Sequence, residues 1–108
     1  MIEADAQWLY KVWDKDLAMC GCGNPDAIWE LVRDLLALCP LYSHRDECVA
    51  LLGDGPMAEF FLNGLTNAGL LEHGSAVGGS WITDKGTRAL GIMQTIDYDT
   101  MDEAGYPQ

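Results

Sequence analysis

Between Asn24 and Pro40 the sequence specifies a helix together with its start and its stop, and the rest of the chain has to fold around it. Ile28, Leu31, Val32, Leu35, Leu36 and Cys39 recur at i, i+3, i+4, i+7, i+8 and i+11, a one-sided apolar stripe of α-helical period. Asn24 supplies a capping oxygen, Pro25 suits a first turn where its missing N–H costs nothing, and Asp26 favours the positive end of the helix dipole. Pro40 closes the helix. Glu30, Arg33 and Asp34 occupy the opposite face and read as solvated surface. Trp29 falls off the main stripe, which predicts an exposed aromatic anchor for a partner.

The flanking segments carry weaker versions of the same code. Trp8, Leu9, Val12, Trp13 and Leu17 predict an N-terminal helix over about 5–18, which ends before Cys20-Gly21-Cys22-Gly23 because two glycines in four residues favour a turn. Its Trp8, Leu9, Val12 and Trp13 either cover the domain's own core or bury against a second copy or a partner. Downstream, Ser43-His44-Arg45-Asp46 offers a hydroxyl cap with a carboxylate three residues on, followed by Cys48, Val49, Leu51 and Leu52 of a short helix. Asp54-Gly55-Pro56 makes a turn. A further helix over 57–68 then points Met57, Phe61, Leu62, Leu65 and Ala68 inward and is capped by Gly69.

Leu70-Leu71-Glu72-His73 and Ser80-Trp81-Ile82-Thr83 read as the arms of a hairpin over about 70–83 with a glycine-rich tip. Thr83 caps a last helix from Asp84, with Leu90, Ile92 and Met93 inward. The stretch 97–108 is acidic and poor in aliphatics, and predicts a loose tail. The expected fold is therefore mainly α with a small β-hairpin: one domain over 1–96 with its core in 24–96, and a flexible tail after it.

A chain of 108 residues buries about two-thirds of its unfolded surface, enough for one modest core. Seventeen acidic residues face six basic ones, Lys11, Lys15, Arg33, Arg45, Lys85 and Arg88, for a formal net charge of -11. Such a surface repels nucleic acid and anionic lipid. The start Met-Ile-Glu-Ala-Asp lacks a basic n-region and an apolar h-region, and no stretch approaches the roughly 20 apolar residues of a membrane span. A cytoplasmic protein is expected, in a reducing compartment where the four cysteines stay free or bind metal.

Chemistry finds few footholds. No G-x-S-x-G, Walker loop, G-x-G-x-x-G after a strand, or H-E-x-x-H occurs, so no enzyme is expected and no cofactor is implied. Cys20 and Cys22 place two thiols in one turn, and with Cys39, Cys48, His44 or His73 they would suit tetrahedral zinc, although their spacing matches no recognised zinc pattern. Cys39 and Cys48 fall on apolar stripes and read as core. Cys22 precedes a helix start that favours a thiolate, which leaves a redox role open.

The order helix, short helix, turn, helix, hairpin, helix resembles the winged helix-turn-helix superfamily. Gly69-Leu70-Leu71 followed by Trp81-Ile82-Thr83-Asp84-Lys85-Gly86 looks like the end of a recognition helix, a wing, and the helix start of MarR-like and PadR-like regulators. The resemblance covers about 25–93. Separately, Cys20-Gly21-Cys22-Gly23-Asn24-Pro25 and Gly78-Gly79-Ser80-Trp81 resemble stretches of small proteins encoded by actinobacteriophages, a likeness that implies no activity. ArsR-like metal sensors carry a C-x-C motif too, but within the DNA-reading unit, whereas Cys20 and Cys22 precede it.

On the winged-helix template, the helix over 57–68 would enter the major groove and the glycine-rich tip would reach the adjacent groove. Here the sequence departs from the family. That helix offers Glu59, Asn63, Thr66 and Asn67, and the tip holds no Lys or Arg. A specific DNA complex neutralises on the order of six to ten phosphates, and this chain has six basic side chains in total. The leading expectation is thus a non-enzymatic acidic module that binds a protein partner through Trp8, Trp13 or Trp29. The alternatives are a dimeric DNA-binding regulator using Asn63, Thr66, Asn67, Lys85 and Arg88, with Arg45 brought to the same face by symmetry, and a zinc or redox sensor using Cys20 and Cys22.

Overall fold

The computed structural model describes residues 2–19, 23–75 and 79–105. Helix α1 spans Ile2–Lys11 and widens into a π-helical segment, Val12–Asp16. Helix α2 follows at Pro25–Leu38, and its start is the one the sequence specifies: the Asn24 side chain accepts from the Ala27 N–H at 3.3 Å and proline sits in the first turn. A 3-10 turn, Leu41–Ser43, leads into α3, Arg45–Leu52, and α4, Pro56–Asn67. Strands β1 (Leu71–Glu72) and β2 (Trp81–Ile82) pair antiparallel, with Leu71 opposite Ile82 and Glu72 opposite Trp81. Helix α5 covers Asp84–Met93 and α6 covers Tyr98–Gly105. The described residues are thus mainly helical with one short hairpin. None of their helices is long and apolar enough to cross a membrane.

The hairpin is fixed to the helices by backbone bonds. Gly69, with φ 83°, reverses the chain after α4 as the expected cap, and the Leu70 N–H returns to the Leu65 carbonyl. Thr83 then locks the far arm: its N–H donates to the Leu70 carbonyl at 3.1 Å, and its hydroxyl caps α5 by accepting from the Gly86 N–H at 2.9 Å. A third connection joins the Leu41 N–H to the Ser80 carbonyl at 2.8 Å, which ties the 3-10 turn to the edge of the hairpin.

One core runs through all these helices, and it is closed by the segment expected to be loose. In place of a tail after residue 97, α6 packs on α1, and its Met101 is fully buried. Asp97 starts this helix as a cap, accepting from the Thr100 N–H at 2.8 Å and the Thr100 hydroxyl at 2.6 Å. Tyr98 completes an aromatic triangle with Trp13 and Trp29: ring centroids lie 5.5 Å apart for Trp13–Trp29, 5.8 Å for Trp13–Tyr98 and 6.0 Å for Trp29–Tyr98. These tilted and edge-on arrangements are the ones ring quadrupoles favour.

The triangle corrects the expectation for Trp29. It is 3% exposed and Trp13 1%, so neither is presented to a partner. At about 100° per residue Trp29 stands beside Leu36 on α2, and the cover supplied by Trp13 and Tyr98 turns the buried stripe toward it. Ile28 and Leu31, on the other edge of the expected stripe, are left half-buried.

Candidate interaction surface

The outward face of helix α4 carries no charge and sets large apolar side chains beside two amides. Ala58, Leu62 and Leu65 turn into the core. Helical geometry then places Met57, Phe60, Asn63 and Asn67 on the side away from it. Met57 is 76% exposed and Phe60 75%. The spacing on α4 predicts both Met57 and Phe61 inward. Phe61 is half-buried as expected, whereas Met57 lies in the first turn of α4, where no neighbouring element covers it. The Phe60-Phe61 pair held the missed signal, because adjacent residues on a helix point about 100° apart and both rings cannot face one core.

Beside this face, α3 and α4 enclose a groove of about 420 Å³. Its floor is Cys48, Ala58 and Leu62, all buried. Tyr42, 66% exposed, and Gly79 border it on the side of the 3-10 turn and the hairpin, and Arg45, Asp54 and Glu59 supply its charged groups. Ser43 does not cap α3 as expected. His44 takes the cap position, and its Nδ1 lies 2.9 Å from Glu47 Oε2. His73 Nδ1 lies 3.0 Å from the Gly74 carbonyl oxygen.

Of the cations considered for DNA, Lys85 and Arg88 are engaged within the chain, whereas Arg45 is exposed and forms no ion pair among the described residues. Lys85 Nζ donates to Asp16 Oδ2 and to the Ala68 carbonyl, both at 2.6 Å, so one ammonium neutralises the π-helical segment and the C-terminal end of α4 together. The Arg88 guanidinium lies 4.1 Å from the Trp8 ring centroid and 3.5 Å from Asp5 Oδ1. Trp8, half-buried beneath it, thus fastens α1 to α5 rather than standing out as an anchor. Between these two helices lies a second hollow, of about 250 Å³, lined by Asp5, Arg88 and Thr95 among others. Asn63 and Asn67 are exposed, and the Thr66 hydroxyl donates to the Leu62 carbonyl at 3.0 Å.

Cys20 and Cys22 lie outside the described residues, and among those described no three His, Cys, Asp or Glu side chains are grouped to hold a metal ion. Cys48 is buried in the core as expected, whereas Cys39 is half-buried against it. Burial, followed by the proximity of Cys48, pushes the Cys39 thiol up to about 11, and burial raises Cys48 as well. Comparisons with protein-family models, with curated proteins and with solved structures each find no match.

Proposed function

We propose that this chain is a non-enzymatic interaction module, a winged-helix scaffold that docks a protein partner on the outward face of α4. The observation that carries the reading is the pair Met57 and Phe60, three-quarters exposed where a DNA reader would present cations and polar side chains. Large apolar groups in that state are what an interface core is made of, and methionine adapts to varied partner shapes. The winged-helix part is supported by the order of α2, α3, α4, hairpin and α5, by Gly69 and Thr83 at the expected caps, and by the Leu41–Ser80 bond at the wing edge.

Electrostatics weigh on the same side. Lys85 and Arg88 would have to leave Asp16, Asp5 and the Trp8 ring before meeting phosphates, and the net charge of -11 opposes the approach of a polyanion. The test has two arms. A photo-crosslinking amino acid at position 60 is expected to trap a protein from extracts of the source cells, and the same group at Glu30 is not. With that partner purified, Met57→Ala and Phe60→Ala should each weaken binding roughly 30-fold. Strong retardation of mixed-sequence duplex DNA at low ionic strength would instead return the chain to the DNA-binding class.

A further inference from the structure

The groove between α3 and α4 is a site distinct from the Met57 and Phe60 face, since Ala58, Glu59 and Leu62 border it from the opposite flank of α4. Its volume is within the range of roughly 300–1,000 Å³ typical of ligand clefts, and its floor is apolar. Its charged groups, Asp54, Glu59 and Arg45, are all exposed and form no ion pair among the described residues, so two carboxylates stand against one cation. An occupant must therefore bring an apolar anchor and, beside it, positive charge.

Resting on the proposed role as a protein-binding module, we infer that this groove receives a basic peptide segment of the partner. A leucine-like or aromatic side chain seats on Cys48, Ala58 and Leu62, and flanking Lys or Arg side chains pair with Asp54 and Glu59. Charge decides this occupant over a second copy, because two chains of net charge -11 repel each other and an acidic groove gains nothing from another acidic surface.

The experiment titrates the isotope-labelled full chain with three synthetic peptides, an amphipathic Leu/Lys helix, its Leu/Glu counterpart, and a Gly/Lys peptide of equal charge without an apolar anchor. Only the Leu/Lys peptide is expected to move the amide resonances of Cys48, Val49, Ala58 and Leu62. Asp54→Asn and Glu59→Gln should each weaken it about two- to fivefold, and Arg45→Gln should strengthen it by a similar factor, as exposed charge pairs allow. Equal binding of the Leu/Glu or Gly/Lys peptide, shifts confined to other faces, or charge substitutions without effect would overturn the inference. So would concentration-dependent shifts in the groove without any peptide, which would assign it to a second copy. Failure of the groove leaves the α4 face standing, which crosslinking at position 60 tests separately.

Discussion

A methyl group added at Gly86 would overlap the Leu70 carbonyl oxygen and press on the Ile82 side chain. That carbonyl is already held by the Thr83 N–H, so it has nowhere to retreat. Alanine gains roughly 1 kcal/mol over glycine in a helix, but overpacking against fixed backbone lies at the upper end of about 1–3 kcal/mol. Gly86→Ala should therefore lose about 2 kcal/mol in a denaturant titration. An unchanged midpoint would mean that α5 shifts freely on the hairpin. The Cys39 thiol gives a second residue-scale expectation. With its thiol pushed up to about 11, Cys39 holds little thiolate at mildly alkaline pH. Iodoacetamide should label it in the native state on the order of a hundredfold more slowly than a free cysteine, as read by peptide mass mapping.

Among the elements, α6 depends most visibly on one side chain. Hydrogen bonds from the Thr100 hydroxyl and N–H hold the Asp97 carboxyl below its ordinary value of 3.8. A depressed folded-state value stabilises the helix in full above the unfolded value, and that stabilisation is lost as pH falls through the folded one. Amide protection in α6 should accordingly fall below about pH 4 while α2 keeps its own. Asp97→Ala should show the weakened protection already at neutral pH. Loss of protection at the same pH in both helices would mean that they open together. The capping code that exposes α6 is present in the sequence, as Asp97 three residues before Thr100 with Tyr98 and Met101 on one side, but a helix so short and acidic is decided by its tertiary cover. The same cause explains Trp29. Helix α2 could be read to its ends because Asn24, Pro25 and Pro40 act locally, and α5 because Thr83 does. Which edge of α2 is buried depends on α6 and the π-helical segment, distant in sequence, and no local pattern encodes that. For the candidate surface, the absence of cations on α4 was legible residue by residue. The exposure of Met57 and the groove beside α3 required the packing.

Across the whole molecule, the N-terminal and C-terminal helices close the structure on each other. Lys85 meets Asp16 across 69 positions and Arg88 meets Asp5 across 83, each on the surface, where such pairs contribute about 1 kcal/mol or less. The aromatic triangle and the seat of Gly105 against Tyr10 carry more of the closure. A Cβ at position 105 would overlap the Tyr10 ring, so α6 lies on α1 at a spacing only glycine permits. That contact brings together residues near opposite ends of the chain, so the loop it closes spans most of the sequence and its entropy must be spent before the contact forms. A folding transition state built on the local contacts of α2, α3 and α4 would precede it. Gly105→Ala should then speed unfolding in stopped-flow experiments and leave the folding limb nearly unchanged. A matching slowdown of folding would place the meeting of α1 and α6 in the nucleus itself.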